Sequence, residues 1–568
     1  MSALPLRIFR SFHAKYYEDD ILTGPAAYPN EYFDELVANG FNAVWLRGIL
    51  RDLAPSQVFP ALGSEIARHQ DALGAVVDRA GRHGVKVLLY LNEPLCLPAE
   101  DPFWTEHPEA RGAAGQSLMD DWPRTYALCT STPQVRSWLG EVSRRLFTDV
   151  PGLGGWFLIT ASEHHTHCYS HRGWKAPPDT SGDCPRCAGR SPAEVVAEVI
   201  TLLRDGTRAA SPQAWTIAWN WSWTMFEEDP QPGILARLPK DVVVLLDWER
   251  GGRRTLPTGR EILVDEYSLS YVGPSERFRV TRDEALRRGL RVMAKLQIGT
   301  THELTTVPNL PLVDHVYRKL SHAETLGLEG ILGTWNFGNA FSFNTAVMGR
   351  LARTTERPEP GRFVAELAAE YFPGADAEGV AAAVERFSVA MECFPFDVPL
   401  MYYGPANYAL AYPLTLDPLT GESMGWSWMM HERGDDLSAS LRQFSLAEVV
   451  DALSAVVRGW REGVGMLEEA LAGCEHRRAG QELGVAKIVG CCYRSTRNVY
   501  RTYGLRRDRP ADAAEQFAEV VADEIANLTE ALPILERDPR LGFHAECQGR
   551  QFSAEAVRKK LRSLELRG

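Results

Sequence analysis

The stretch that decides the fold is residues 41–92, which contains two apolar runs separated by a helical pattern. The runs are FNAVWLRG at 41–48 and VKVLLYLN at 85–92, and the helical pattern is EIARHQDALGAVVDRAGRHG at 65–84. Nearly continuous Val, Leu and aromatic character is typical of parallel strands that are buried on both faces. The stretch therefore predicts a β-α-β unit.

The same alternation continues through the first 340 residues. Further β-rich runs lie at 6–12, 154–163, 215–223, 242–250, 291–303 and 328–338, with the shorter run SLSYVG at 268–273. Helical patterns separate most of these runs. Eight long runs in this order favour a closed parallel barrel over an open sheet. We predict an α/β fold in which a (β/α)8 TIM barrel occupies residues 1–350.

After about residue 350 the β-rich runs stop, and residues 351–568 are predicted to form an α-helical domain. RTTERPEPG at 353–361 is the predicted linker. An aromatic segment near 394–413 contains Tyr402, Tyr403 and Tyr408, and its Pro and Gly content argues against a helix interior. Two interpretations stay open: this loop fills the core, or it covers the mouth of the barrel.

The composition narrows the classes of partner. The chain has 568 residues, 45% of them hydrophobic and 24% charged, with a formal net charge of −13. A net negative charge argues against a nucleic-acid partner, and no apolar run approaches the roughly 18 residues of a membrane span. The start MSALPLRIFRSF has no signal-peptide core, so a cytoplasmic location is expected. The sequence is compatible with a homo-oligomer.

Aromatic residues are numerous and stand next to polar ones. The chain has 15 Trp, 18 Tyr and 22 Phe. Aromatic and polar residues adjoin one another in WNWSW at 219–223, TWNFGN at 334–339 and MYYGPANY at 401–408. Rings beside polar groups suit the apolar faces of sugars. The predicted partner is therefore an oligosaccharide or a small glycoside.

Polar residues follow several predicted strands. In TIM barrels the carboxyl ends of the strands form the active site. The alternative is that these are ordinary polar loop residues. The polar strand-end residues are Arg47, Asn92, Glu163, Asn220, Asp247, Glu303 and Asn336.

Glycoside hydrolysis needs two carboxyl groups, one on each side of the scissile bond. Glu163, after the fourth strand, is predicted to be the general acid, which requires apolar surroundings that raise its pKa. Glu303, after the seventh strand on the opposite side of the ring, is the leading candidate for the second carboxylate. The catalytic alternatives are Asp247 and Glu249, followed by Asp265 and Glu266.

Aromatic and amide side chains at the strand ends are predicted to bind the sugar, the rings by stacking and the amides by hydrogen bonds. Because side chains alternate along a strand, about half of WNWSW faces the barrel interior. The predicted substrate-binding residues are Arg47, Asn92, His164, His165, Trp219, Asn220, Trp221, Trp335, Asn336 and Tyr403.

A cysteine cluster follows the fourth strand. Cys168, Cys184 and Cys187, together with one histidine among His164, His165, His167 and His171, would make a Cys₃His zinc site. Structural zinc, unliganded thiols in a packed loop and a catalytic metal are the three alternatives.

The chain has no P-loop, no dinucleotide-binding glycine motif, no G-x-S-x-G elbow and no H-E-x-x-H. No cofactor is therefore predicted to be required for catalysis.

The order of several segments resembles that of glycoside hydrolase family 20-like barrels, and more closely that of family 163-type relatives. The segments are FWTEHPEARG at 103–112, ALCTSTPQVRSWL at 127–139, the strand that ends at Glu163, DCPRCAG at 183–189 and the Trp-rich fifth strand. The resemblance covers most of the first 340 residues and is looser at EYFPGADAEGV and RLGFHAECQG.

The resemblance implies a retaining, exo-acting glycosidase similar to β-N-acetylhexosaminidases, with its acid at Glu163. In family 20 the acid follows an aspartate that orients the acetamido group of the substrate, whereas here Ser162 precedes Glu163. This difference favours an enzyme nucleophile such as Glu303. The rival hypotheses are a metal-dependent barrel hydrolase or lyase that uses the histidines, and a carbohydrate-binding protein without catalysis.

Overall fold

The computed structural model describes most of the chain. The described residues are 4–116, 124–162, 164–170, 184–335, 338–426, 432–544, 546 and 548–566.

Eight parallel strands close into a barrel, which confirms the predicted fold class. Each strand pairs with the next along the chain, and β8 pairs with β1, where Leu6 lies opposite Gly330. The strands are β1 (Leu6–Ile8), β2 (Ala43–Arg47), β3 (Lys86–Leu91), β4 (Gly155–Ile159), β5 (Trp215–Trp219), β6 (Val243–Asp247), β7 (Arg291–Leu296) and β8 (Gly330–Gly333).

Side-chain alternation explains why the strands are apolar on both faces. In β2, Ala43 and Trp45 point into the barrel, while Val44 and Leu46 pack in the larger core outside it. Trp219 and Trp221 likewise pack with the barrel interior, and Trp223 packs outside. Strand alternation does not extend to Trp223, because β5 ends at Trp219 and Trp223 begins the 3₁₀ helix Trp223–Met225.

Helices cover the outside of the barrel and make up most of the remaining chain. They are α1 (Asp20–Ala27), α2 (Asn30–Ala38), α3 (Leu50–Leu53), α4 (Ile66–Arg82), α5 (Phe103–Glu106), α6 (Pro133–Asp149), α7 (Pro192–Ala210), α8 (Pro232–Arg237), α9 (Glu276–Arg287), α10 (Val313–Thr325), α11 (Phe343–Arg353), α12 (Pro360–Tyr371), α13 (Ala377–Met391), α14 (Val398–Tyr403), α15 (Ser438–Leu441), α16 (Leu446–Leu471), α17 (Arg477–Asp508), α18 (Ala513–Leu535) and α19 (Ala554–Glu565), with short 3₁₀ helices at Pro108–Ala110 and Trp223–Met225.

Small β-sheets lie outside the barrel sheet. The insert between β3 and β4 forms a three-stranded sheet, and the segment after β6 forms a hairpin, whereas the predicted run SLSYVG is not a strand. The sheets consist of Leu97–Pro98, Arg124–Leu128 and Arg111–Gln116; of Gly252–Thr255 and Glu261–Val264; of Ser423–Trp426 and Glu432–Gly434; and of Phe543–His544 and Gly549–Arg550.

The helical region packs directly against the barrel. The Ser388 hydroxyl donates to Asp314 of α10 at 2.5 Å, and Thr305 N–H donates to the Asn407 side chain at 2.9 Å. The aromatic segment near 394–413, predicted as a loop, contains the short helix α14, with Gly404 at its C-cap. Pro399 occupies the first turn of α14, where its missing N–H has no helical partner to lose.

None of the helices in the described part of the chain combines the length and the apolar composition that a membrane span requires.

Candidate active site

A cavity of about 800 Å³ lies at the carboxyl end of the barrel. Residues at or after six successive strands line it, which is where TIM-barrel enzymes hold their substrates. These residues are Tyr90, Ile159, Trp221, Arg250, His302 and Trp335. A second wall comes from the helical region and contains Asp397, Val398, Pro399, Tyr402, Tyr403, Arg442 and Gln443.

Trp335 forms a rigid apolar surface at the bottom of this cavity. Its indole stacks on Trp45 with ring centres 5.3 Å apart and planes 6° apart. Tyr90 and Trp219 contact it edge-on, at 5.1 Å and 4.9 Å. Since these neighbours restrict its rotation, Trp335 can offer a sugar ring a stacking face with little loss of side-chain entropy.

Glu266 is the carboxylate that is best positioned in the cavity. Tyr402 donates its hydroxyl hydrogen to one carboxylate oxygen at 3.0 Å, and Tyr267 N–H donates to the other at 3.1 Å. The His302 Nδ1 lies 3.6 Å from the Glu266 carboxylate. Burial raises the pKa of Glu266, and the positive charges of Arg250 and Lys295 oppose this shift.

Tyr402 reaches this carboxylate from α14, 136 residues later in the chain. Burial raises the pKa of Tyr402 well above its usual value, and the negative charge of Glu266 adds to the shift. Tyr402 therefore keeps its proton and remains a hydrogen-bond donor. Its neighbour Tyr403 also lines the cavity, whereas Tyr408 is buried elsewhere in the core.

Lys295 is a buried lysine beneath the site. Its side chain points into the barrel from β7, with Nζ 2.8 Å from the centre of the Tyr267 ring. Burial lowers the pKa of Lys295 to about 7, and the carboxylates of Glu249, Asp247 and Glu266 limit the shift. A lysine interior to the apolar run RVMAKL was the available sequence signal for this residue.

Two predicted residues, Glu163 and Asn336, lie outside the described residues. The chain just before Glu163 is held by Asn92, whose side-chain amide donates to Ile159 O at 3.3 Å and to Ser162 Oγ at 3.2 Å. Ser162 Oγ in turn accepts the N–H of His164 at 3.1 Å. Asn92 thus supports the end of β4 and does not line the cavity.

Glu303 does not line the cavity, although the sequence favoured it as the second carboxylate. It is 1% exposed and accepts hydrogen bonds from Ser268 Oγ at 2.7 Å, Leu269 N at 2.9 Å and Thr301 Oγ1 at 2.7 Å. Both the N–H and the hydroxyl of Ser270 donate to it as well. The segment 268–270 therefore wraps around Glu303, which is the environment of a structural carboxylate.

The alternatives Asp247 and Glu249 are also engaged by the protein. Glu249 is fully buried, forms an ion pair with Lys319 Nζ at 2.8 Å and accepts the Gln297 N–H at 2.8 Å. Asp247 accepts the Trp219 indole N–H at 3.1 Å and lies 3.4 Å from Arg250. Both carboxylates organise the barrel end beneath the cavity.

Several predicted binding residues point away from the cavity. The Arg47 guanidinium lies over the Tyr16 ring at 4.6 Å. His165 is hydrogen-bonded with Thr125 at 2.8 Å, and the Asn220 amide donates to Gln231 at 3.4 Å. His164 is buried without lining the cavity. Of the predicted binding residues that the structure describes, Trp221, Trp335 and Tyr403 line it.

The cysteine cluster assembles with one change from the prediction. Cys168, Cys184 and Cys187 meet Cys129, and the four Sγ atoms lie within 4.8 Å of one another. Cys129 thus takes the place predicted for a histidine. The sequence did not reveal this, because Cys129 precedes β4 and is brought to the cluster by the three-stranded sheet. Among the described residues, these cysteines form the sole His, Cys, Asp or Glu group with metal-site spacing.

Comparison with solved structures shows the fold of glycoside hydrolases. The chain is similar over its full length to a GH138 enzyme targeting pectin rhamnogalacturonan II, with a TM-score of 0.56 and 10% identity, and it covers 66% of that chain. It thus spans slightly less than two thirds of this neighbour. No known family model matches the sequence, and no curated protein matches it significantly.

Two other barrels are similar over part of the chain. A GH5-4 broad-specificity endoglucanase from Clostridium acetobutylicum has a TM-score of 0.36 and 11% identity, over 62% of this chain and 99% of that one. A noncanonic maltogenic α-amylase from Thermotoga neapolitana has a TM-score of 0.33 and 13% identity, over 62% of this chain and 77% of that one.

Proposed function

We propose that this protein is a glycoside hydrolase that cleaves a terminal glycosidic bond in the cavity at the carboxyl end of the barrel. The observation that carries the proposal is the Glu266 carboxylate, held by Tyr402 and the backbone of Tyr267 within a cavity walled by aromatic rings. A cavity of about 800 Å³ accommodates a ligand of drug size, comparable to one or two sugar rings. This favours action at a chain end.

Glu266 acts as the nucleophile of a retaining mechanism. Hydrogen bonds to both of its oxygens and the nearby charges of Arg250 and Lys295 favour the ionised form. Burial opposes ionisation and makes the carboxylate more basic than an exposed glutamate. In its ionised form Glu266 places a poorly solvated negative charge where positive charge develops on the sugar.

Glu163 acts as the general acid and base. Its place in the sequence, four residues after the cavity-lining Ile159, supports this role. It protonates the leaving oxygen, and after the glycosyl group has been transferred to Glu266 it removes a proton from the attacking water. The motif order that resembles families 20 and 163 supports the same role and an exo-acting enzyme.

Rings hold the substrate. Trp335 stacks against one face of the terminal sugar, and Trp221 and Tyr403 contact it from the strand ends and from the helical wall. The GH138 neighbour supports a carbohydrate substrate through its shared fold, and an oligosaccharide is the substrate class proposed here.

Two variants test the proposal on chromogenic aryl glycosides of both anomers. Glu266→Gln should lose more than about 10³-fold in kcat/KM with every leaving group, because no glycosyl-enzyme bond can form. Glu163→Gln should lose about 10²–10⁴-fold with poor leaving groups and much less with dinitrophenolates, which need little protonation. Asp265→Asn, at another cavity carboxylate, is the matched control.

Azide separates the two roles. With Glu163→Ala, which leaves room for the anion, azide should restore turnover and give the glycosyl azide of retained configuration; with Glu266→Ala, it should give the inverted product. Near wild-type activity in Glu266→Gln would overturn the assignment. Binding of sugar by the wild-type protein with no product from any glycoside would show a carbohydrate-binding protein instead.

A further inference from the structure

Four cysteines from separate parts of the chain meet in one buried cluster beside the barrel. Cys129 follows the strand Arg124–Leu128, Cys168 lies in the segment after β4, and Cys184 and Cys187 form a C-x-x-C turn before α7. All four are between 0% and 4% exposed, and all are free thiols in the structure. Burying four thiols together is unusual unless they share a ligand or a bond.

The sulfur positions fit a tetrahedral metal ion. Cys129 Sγ lies 3.5 Å from Cys184 Sγ and 3.6 Å from Cys187 Sγ, and all four sulfurs lie within 4.8 Å of one another. A Zn–S bond of about 2.3 Å gives S···S edges of about 3.8 Å in a regular tetrahedron. A disulfide would need its sulfurs about 2.05 Å apart.

The surroundings also suit a closed metal site. The Cys187 N–H donates to Cys184 O at 3.0 Å, a tight turn that points both sulfurs to one side. A Cβ at Gly112 would lie 2.6 Å from Cys168 Sγ, so only glycine lets the adjacent strand pass this sulfur. The Arg186 guanidinium, which donates to Arg111 O, is a positive charge between Cys184 and Cys187 in the sequence. A Zn²⁺ ion with four thiolates carries two negative charges, and Arg186 partly offsets them.

We propose that Cys129, Cys168, Cys184 and Cys187 bind one structural Zn²⁺ ion. The four protein ligands leave no open coordination position, so the ion has no direct part in catalysis.

The site joins three parts of the chain around the end of β4. Tyr169 already links two of them, since its single hydroxyl hydrogen is shared between Cys187 O, at 2.7 Å, and Arg190 O, at 2.6 Å. His165, on the same segment, packs its ring against Gly115 of the small sheet. Zinc bound here would hold the segment 164–170, which follows Glu163 in the sequence, against that sheet.

The test begins with the wild-type chain purified without chelator. Elemental analysis should give close to one zinc per chain, and a mercurial that reacts with thiols should release it, as detected with a chromogenic chelator. Protein produced with Co²⁺ should show the thiolate charge-transfer and d–d absorption bands of a tetrahedral Co(S-Cys)₄ centre. These measurements require no variant to fold.

Variants then assign the ligands. Cys129→Ser and Cys184→Ser should each lose the zinc and lower the melting temperature by more than about 10 °C, whereas Cys474→Ser, at a cysteine outside the cluster, should keep both. Absence of stoichiometric metal, iron in place of zinc, or disulfides among these cysteines in the purified protein would overturn the proposal. So would full zinc content in Cys129→Ser.

Discussion

Replacing Lys295 by Met should change how the stability of the protein depends on pH. Lys295 is fully buried, and burial lowers its pKa from the usual 10.5 to about 7. Met has a similar length and flexibility, so it can fill the same space against Tyr267 without a charge. The substitution therefore removes a titrating group with little change in packing.

The sign follows from the protons that each state binds. Between pH 7 and 10.5 the unfolded chain binds a proton on Lys295 and the folded chain does not, so the free energy of unfolding rises with pH in this window. A pKa that folding lowers from 10.5 to about 7 corresponds to about 5 kcal/mol in full. As the pH falls from 9.5 to 7, the titration of Lys295 lowers the free energy of unfolding of the wild-type protein by about 3 kcal/mol. Met does not titrate and contributes nothing to this change.

Urea unfolding at pH 7.0 and pH 9.5 measures this effect. The stability of Lys295→Met relative to wild type should be about 3 kcal/mol more favourable at pH 7.0 than at pH 9.5. Contributions from groups whose pKa the substitution leaves unchanged cancel in this difference. Lys240→Met, at an exposed lysine, should show no such change. An equal stability difference at both pH values for Lys295→Met would refute the reasoning.

The same variant should alter catalysis, because Lys295 lowers the pKa of Glu266. Without this charge the pKa of Glu266 rises further, and the acid limb of the kcat/KM profile should move to higher pH. If the acid limb of the profile did not move, Lys295 would have no electrostatic effect on the proposed nucleophile, Glu266.

Two further substitutions probe the residues around Glu266 and Glu303. Tyr402→Phe removes a hydrogen bond that lowers the pKa of Glu266, so the acid limb of kcat/KM should again move to higher pH, and an unchanged profile would contradict the role given to Tyr402. Glu303→Gln places an amide N–H₂ against the hydroxyl and backbone donors around Glu303, so urea unfolding should show a loss of about 3 kcal/mol. The folded fraction of Glu303→Gln should keep its kcat; a 100-fold fall in kcat with unchanged stability would instead make Glu303 the nucleophile.

The sequence by itself determined the barrel. The eight strand runs and the helices between them show as local hydrophobic periodicity. This periodicity can be read from a window of ten to twenty residues, without the rest of the chain. Parallel strands buried on both faces need continuous apolar residues, and this requirement places β2 within FNAVWLRG and β3 within VKVLLYLN. The sequence also placed polar residues at the strand ends, and with them the general position of the site.

Only the tertiary structure decided which of those residues face the cavity. Glu303 follows β7 and Glu266 follows the hairpin after β6, but the segment 268–270 surrounds the former with donors, while Tyr402 from α14 holds the latter. Cys129 joins Cys184 across 55 residues in the same way. Side-chain direction after a strand depends on loop conformation and on partners far along the chain. Neither follows from local periodicity, because the free energy that selects them comes from contacts that exist only after the chain has folded.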